Sequence, residues 1–140
     1  MKTPINSNPR PTVFLVAAFF ALLVMACGGG NQQQAQKEKL KEVKETTTMQ
    51  LQELKKDIEQ RIEYIDEQIE EASGELEEKL KEVRADLKKQ QQMVEKEMEN
   101  VKNATLETWD NVLNNVRTNY QAARTKMNEA SKKVREWLED

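Results

Sequence analysis

Few side chains in this 140-residue sequence are suited to nucleophilic or metal chemistry. The chain has no His and one Cys, Cys27, and the only serines beyond residue 37 are Ser73 and Ser131. Without an imidazole, Ser–His and Cys–His nucleophile pairs are excluded, as are most transition-metal sites. No glycine-rich phosphate loop follows a strand. We therefore expect a protein that is not an enzyme, with no catalytic residues, no cofactor, no metal ion and no small-molecule substrate.

Cys27 stands at the edge of the longest apolar segment of the chain, residues 13–25. Lys2 and Arg10 precede this segment, and the small residue Ala26 separates it from Cys27. As a helix, the segment would rise about 20 Å, which is short of the ~30 Å hydrocarbon core of a bilayer. A positive start, a short apolar centre and a small final residue are typical of a secretory signal peptide. The length argues against a transmembrane anchor.

The sequence Leu-Val-Met-Ala-Cys-Gly at 23–28 resembles the lipobox of bacterial lipoproteins. The resemblance implies that residues 1–26 are removed and that Cys27 becomes an amino terminus carrying diacylglycerol and an N-linked acyl chain such as palmitate. Met25 departs from the small residue usual at its position. Gly28 replaces the Asp that retains enterobacterial lipoproteins in the inner membrane, so the resemblance favours an outer membrane in a cell that has one. The apolar signal, glycine triplet and glutamine run are similar to lipoproteins of Bacteroidota.

Residues 28–36, Gly-Gly-Gly-Asn-Gln-Gln-Gln-Ala-Gln, contain no charge and little variety. Such a composition is typical of a flexible linker, with a reach of about 15–18 Å for nine residues. Together with Cys27 it is predicted to form a tether, residues 27–36, between the lipid and the rest of the chain. A disordered start without a task has the same composition.

Beyond residue 37 an apolar residue recurs every eleven positions, and no proline interrupts the chain. Eleven residues in three turns correspond to about 3.67 residues per turn, the period of a helix with one narrow apolar stripe and a slight right-handed supercoil. We expect an all-α fold with little globular core, in which residues 37–140 form long, coiled-coil-like amphipathic helices. The residues of this apolar seam, which is predicted to mediate oligomerisation, are Val43, Leu54, Ile65, Leu76, Leu87, Met98, Trp109 and Tyr120.

Three stretches weaken the helical pattern: the Thr triplet 46–48, the segment 72–74 with its single glycine, and residues 100–105. Thr47 and Gln50 have the spacing of a capping box, which predicts that a firm helix begins near Thr47. Ser73 is a candidate cap for a new helix. Hairpin turns at the second and third stretches would produce an up-down-up three-helix bundle. The apolar spacing continues through both, however, which favours a long rod of up to about 150 Å, kinked near Gly74.

Charge is uneven along this region although the net charge of the whole chain is only −3. Glutamates at every fourth position form an acidic ladder on one helix face, and basic residues share one face near the other end. Two solvated faces without a partner would look the same. The alternative is that the ladder pairs with the basic stripe of a neighbouring helix, from the same chain or a second copy. The predicted pairing residues are Glu59, Glu63, Glu67 and Glu71 against Arg117, Arg124, Lys132 and Arg135.

The basic stripe, with Trp109, Tyr120 and Trp137, also has the composition of a helix that lies on anionic lipid. Against that interpretation, Trp109 and Tyr120 belong to the apolar seam, where packing against a helix explains them. The period resembles that of exchangeable apolipoproteins and desiccation-related helical proteins, without their punctuating prolines or alanine-rich consensus. The chain is also similar to the small helical lipoprotein that joins outer membrane to peptidoglycan, but it lacks the C-terminal Lys needed for that covalent link.

These features together predict an exported, lipid-anchored protein of the bacterial envelope that acts as a helical spacer or an interaction rod. Its expected partners are the membrane, through the lipid, and a second copy or another helical protein. Nucleic acid is not expected, because the chain is acidic and exported. The alternative function is that of an amphipathic stress-related or membrane-surface protein whose helices form on contact with lipid.

Overall fold

A computed structural model describes residues 32–140, which contain three α-helices joined by two short turns. Helix α1 comprises Gln32–Glu71, α2 comprises Glu75–Asn103 and α3 comprises Trp109–Glu139. The prediction of an all-α fold is confirmed. Cys27, the predicted signal peptide and the first half of the predicted tether lie outside the described residues. The second half, from Gln32 onward, is helical rather than coil.

Contacts between the helices define an up-down-up bundle. Lys55 contacts Glu95 and Asp66 contacts Arg84, so residue numbers fall along α2 as they rise along α1. Glu97 contacts Asn119, and Lys79 lies over the Trp137 ring, which places α3 antiparallel to α2. The prediction of one long rod is therefore wrong, because the chain reverses twice. The longest helix, α1, rises about 60 Å over its 40 residues, compared with about 150 Å for the predicted rod.

The first reversal is made by residues 72–74, where a kink was predicted. The backbone N–H of Ala72 still donates to Gln68 and Ile69 carbonyls, at 3.0 and 3.3 Å. Gly74 then adopts φ 63° and ψ −132°, the only positive φ in the described chain. A backbone of this kind is nearly restricted to glycine. Gly74, not Ser73, occupies the N-cap position of α2, and no side chain caps it.

The second reversal uses local polar contacts in place of glycine. Ala104 ends α2 in an extended conformation, and its N–H donates to the Val101 carbonyl at 3.2 Å. The Thr105 N–H donates to Thr108 Oγ1 at 2.9 Å, and the Thr108 N–H donates to Thr105 Oγ1 at 3.3 Å. These reciprocal bonds satisfy amides that the turn would otherwise leave unpaired. Residue 105 is thus exposed in a turn and not part of an apolar stripe.

The core follows two different spacings. In α1 the buried residues recur at eleven, as Thr47–Ile58, Leu51–Ile62 and Leu54–Ile65 do. In α2 and α3 they are three, four or seven positions apart, which is the seven-residue period of left-handed helix packing. The buried residues of α1 thus follow the predicted eleven-residue period, and those of α2 and α3 depart from it. The buried residues of α2 are Leu80, Val83, Leu87, Val94, Glu97 and Val101; those of α3 are Trp109, Leu113, Val116, Ala123, Met127, Ala130 and Val134.

The Thr triplet lies well inside α1 and does not start a helix. Thr46 Oγ1 donates to the Glu42 carbonyl at 3.0 Å, and Thr47 Oγ1 donates to that of Val43 at 2.7 Å. Bonds of this type to the preceding turn let a β-branched hydroxyl residue remain within a helix. Thr47 is itself buried, so packing offsets its weak intrinsic propensity. The predicted helix start near Thr47 is wrong.

Candidate functional site

The apolar seam is packed within one chain. Leu54, Ile65, Leu87 and Trp109 are buried in the bundle, and the other four seam residues, Val43, Leu76, Met98 and Tyr120, are half-buried. In α1 the large residues Leu51 and Ile58 are more completely enclosed than the seam residues on either side. Four of the eight seam residues thus lie in the interior of a single copy, and the role of the seam in oligomerisation stays a prediction.

The structure describes an interhelical contact for one member of the acidic ladder, Glu59, and that contact is with α2. Pairing of the ladder with the basic stripe of a second copy stays a prediction. Glu59 accepts a hydrogen bond from Gln91 Nε2 on α2 at 2.9 Å and lies 3.7 Å from Lys55 on its own helix. Glu63, Glu67 and Glu71 are exposed on α1. The contacts of Glu59 therefore join α1 to α2, not to the stripe on α3.

The four residues of the basic stripe are exposed along α3. Arg124 lies 5.9 Å from the centroid of the Tyr120 ring, one turn away, and Lys132 Nζ lies 3.8 Å from Glu136. Arg117 and Arg135 lie on the same outer face. Trp109 is buried, so it does not accompany the stripe to a lipid surface.

Two ion pairs that join α1 to α2 were not anticipated from the sequence. Lys55 Nζ lies 2.9 Å from Glu95 Oε1, and Arg84 Nη1 lies 2.7 Å from Asp66 Oδ1. The hydrogen bond from Lys55 to the Glu95 carboxylate raises the pKa of Lys55 above its usual value. At the opposite end of α2, a bond from Lys79 lowers the pKa of Glu75. Exposed pairs of this kind contribute little stability, and they mainly favour one helix register over another.

The raised pKa of Lys55 predicts a small pH effect with a definite sign. A group with a raised folded-state pKa contributes stability below its unfolded pKa and loses that contribution as pH rises through the folded value. The destabilisation caused by Lys55→Met should therefore shrink as pH rises through the pKa of Lys55. Urea unfolding of both proteins from neutral to strongly alkaline pH measures this. Lys56→Met, at an exposed neighbouring position, is the control, and a pH-independent difference for Lys55→Met would contradict the assignment.

A buried carboxylate lies between α2 and α3. Glu97 is 5% exposed, and Asn119 Nδ2 donates to its Oε1 at 2.6 Å. Asn100 Nδ2 donates to its Oε2 at 3.3 Å from the next turn of α2. A buried charge needs such donors, because removal from water costs several kcal/mol if it is left without them. The contact ties one position on α2 to one on α3 and so fixes their register.

Removing the donor of this buried pair should be costly, whereas removing both partners should not. Asn119→Leu should lower the free energy of unfolding by about 1–3 kcal/mol, because the buried side chain of Glu97 loses its shortest hydrogen bond. The double variant Glu97→Leu with Asn119→Leu should recover most of that loss or exceed the parent stability. Denaturant unfolding measures both. Asn115→Leu, at an exposed position of the same helix, should change the free energy of unfolding little. If the effects of Glu97→Leu and Asn119→Leu were additive in the double variant, the coupling would be contradicted.

An open groove of about 960 Å³ lies between the first turns of α1 and the last turn of α2. Its apolar floor comes from Leu40, Met49 and Met98, and four lysines and two glutamates stand around this floor. The charged residues are Lys37, Lys41, Lys44, Lys102, Glu45 and Glu99. The sequence alone does not reveal this site, because Met98 and Lys102 are far along the chain from the three lysines on α1 and only the hairpin brings them together.

Lys44 links the groove to the end of α2. Its Nζ donates to the carbonyls of Lys102 and Ala104, at 2.8 and 2.9 Å. The last carbonyls of a helix have no partner within it and carry partial negative charge, so an ammonium group stabilises them. The groove therefore has one fixed lysine, with Lys37 and Lys41 exposed on the preceding turns of α1.

A second groove, of about 630 Å³, runs between α1 and α3 near the other end of the bundle. Arg61 donates from Nη1 to Ser131 Oγ across it, and Tyr64 and Leu138 are exposed at its edge. Ile65 and Leu87 lie beneath these side chains. No cluster of three or more acidic residues in residues 32–140 has the arrangement of a metal site.

Taken together, these features place the chain in the class of small three-helix bundles. Comparison with family models, curated proteins and solved structures gives no match. Within residues 32–140, no helix has the length and apolar character needed to cross a bilayer. The function is therefore inferred from the residues of the chain itself.

Proposed function

We propose that this chain is an exported, lipid-anchored protein of the bacterial cell envelope that presents a helical bundle as a spacer or interaction module. The observation that carries the proposal is the single Cys27 directly after a short apolar segment and a small residue, only five positions before α1 begins at Gln32. A lipid at that position holds the start of the bundle close to a membrane. The bundle itself has no need to enter the bilayer.

The enclosed apolar core favours a bundle that functions as a folded unit. Large residues such as Leu51, Ile58 and Leu80 are at most 1% exposed, so a monomer already has its apolar faces covered. Partners would then contact the charged outer faces, and a partner helix or second copy need not share the core. The proposed spacer has the length of one bundle, about 60 Å along α1.

The alternative, a protein whose helices form only on lipid, requires the bundle to open. Its apolar residues would have to leave one another to contact acyl chains, at the expense of the packing described above. Circular dichroism of the protein without lipid separates the two proposals. Cooperative unfolding of a helical monomer favours the bundle, and a coil that becomes helical only with vesicles favours the alternative.

Mass spectrometry of the membrane fraction tests the anchor directly. We expect a chain that begins at Cys27 and carries diacylglycerol and an additional acyl chain. Cys27→Ser should abolish acylation and leave the precursor uncleaved or released from the membrane, whereas Ser73→Ala should leave processing unchanged. An unprocessed, acyl-free parent chain in the cytosol would overturn the proposal.

A further inference from the structure

The groove between the start of α1 and the end of α2 combines positive charge with exposed apolar side chains. Four of its six charged residues are lysines. Met49 is 61% exposed within it, and Leu106, in the adjoining turn, is 43% exposed. Lysines beside exposed Leu and Met are the composition of surfaces that bind the headgroup layer of anionic membranes.

The fixed lysine makes the charge of this groove persistent. Lys44 bonds two carbonyl oxygens, which are neutral acceptors, so its positive charge is not cancelled by a carboxylate there. Lys37 and Lys41 are exposed within two turns of it. A phosphate entering the groove would meet several ammonium groups and the methylene stems that carry them.

The groove lies at the end of the bundle at which α1 enters, and Cys27 precedes α1 by a few residues. Four residues separate Cys27 from Gln32, so whatever their path, these two Cα atoms are at most about 18 Å apart. Lys37 and Lys41 follow about 8 and 14 Å further along α1. An anchor at Cys27 therefore keeps the groove within reach of the headgroups of the membrane that holds the chain.

We propose that this groove binds the phosphate headgroups of anionic phospholipids in the anchoring membrane, and so sets the orientation of the bundle on that membrane. The inference rests on the proposed lipid anchor. Residues 62–78, at the opposite end, include eight acidic residues and no basic one. Residues 129–140 of α3 lie at the same end and add four acidic and three basic residues, so the net charge there is negative and the same surface repels it. The bundle then has its lysine groove at the lipid and its acidic end directed away from it.

The experiment uses the intact acylated chain in vesicles of phosphatidylcholine, with or without phosphatidylglycerol. A fluorophore on Leu106→Cys reports the anchored end of the bundle, and the same fluorophore on Leu138→Cys reports the other end. Lipids with a nitroxide headgroup quench only a fluorophore that lies near them. We expect strong quenching at position 106 and little at 138, only in vesicles that contain phosphatidylglycerol. Salt at about 1 M, where the Debye length is about 3 Å, should abolish it.

Charge reversal identifies the groove as the cause. Lys37→Glu, Lys41→Glu and Lys102→Glu combined should remove most of the quenching, since each lysine lost lowers the ratio of bound to free orientation about fivefold. Reversal of three exposed lysines outside the groove, Lys88, Lys89 and Lys126, is the matched control and should leave position 106 quenched. Circular dichroism confirms that both variants remain folded.

The possible failures are distinguishable. A chain that is not acylated and does not float with vesicles overturns the proposed function and this inference together. A chain that floats, but shows equal quenching in neutral vesicles or no response to groove reversal, overturns the inference alone. Cross-linking of position 106 to position 138 of another copy would assign the groove to the acidic end of a second chain, and would also overturn it.

Discussion

Replacement of Ile58 by Ala should lower the free energy of unfolding by about 2–5 kcal/mol. Ile58 is 0% exposed near the middle of α1, one turn after Lys55 and one residue before Glu59, both of which contact α2. The surrounding helices are held by these contacts and by Arg61 bonding to α3, so they are not free to collapse into the space left by the lost atoms. The variant loses both the transfer free energy and the packing around the cavity.

Urea unfolding followed by circular dichroism measures this loss. Met49→Ala removes a side chain of similar size that is 61% exposed on the same helix, and it should change stability by no more than about 0.5 kcal/mol. The midpoint of the parent protein should not depend on protein concentration, because the core is made within one chain. Equal effects of the two variants would show that Ile58 is not enclosed in the core. A strong concentration dependence of the midpoint would place Ile58 between copies.

The helical nature of residues 37–140 could be predicted because apolar residues recur with a helical period and no proline interrupts them. The helical period is a property of each helix separately, so it is the same whether the helices are joined end to end or folded back. It therefore predicts the all-α class, and four of the eight predicted seam residues, Leu54, Ile65, Leu87 and Trp109, lie in the core. It said nothing about which apolar faces meet.

The eleven-residue period misled at particular positions. A step of eleven from Leu87 reaches Met98, which is only half-buried, whereas alternation at three and four from Val94 reaches Glu97, which is buried. A glutamate does not belong to an apolar pattern, so the spacing does not predict that Glu97 is buried. Its stability inside the bundle depends on an amide from Asn119 on another helix, and spacing along one chain does not reveal such a contact.

The lysine groove was invisible for a related reason. Lys37 and Lys102 are 65 positions apart, and they approach each other only because the chain reverses at Gly74 and α2 runs back along α1. The same reversal places Glu59 against α2 rather than against the basic stripe of α3. Charge partners within one chain follow from its topology, so a rod does not predict which helix Glu59 contacts, and pairing of the ladder with a second copy stays a prediction.

Continuous apolar spacing does not distinguish a rod from a bundle with short turns. Ile69, Ala72 and Leu76 are all half-buried around the first turn, where they cover the end of the core. A short turn in a bundle thus keeps apolar residues on both sides, as an uninterrupted helix does. The distinguishing signal was Gly74, the single glycine in a region otherwise free of glycine and proline.

Replacement of Gly74 by Ala should shift the balance between the hairpin and a continuous α1–α2 helix by about 2–4 kcal/mol. Positive φ costs an L residue about 1–3 kcal/mol, and Ala gains about 1 kcal/mol over Gly within a helix. A Cβ at this position would meet no atom within 4 Å, so the penalty comes from the backbone and not from a clash. The variant should be less stable as a monomer.

A continuous α1–α2 helix exposes the apolar faces that the hairpin covers, and a second copy is able to cover them again. We therefore expect Gly74→Ala to form domain-swapped dimers as its concentration rises, measured by light scattering after size-exclusion chromatography. Ser73→Ala, at a neighbouring exposed position without positive φ, should remain monomeric. D-alanine introduced at position 74 by chemical ligation adopts positive φ without strain and should restore the monomer. Because only the chirality of one Cα differs, a dimer with D-alanine as well would show that the glycine conformation is not what closes the hairpin.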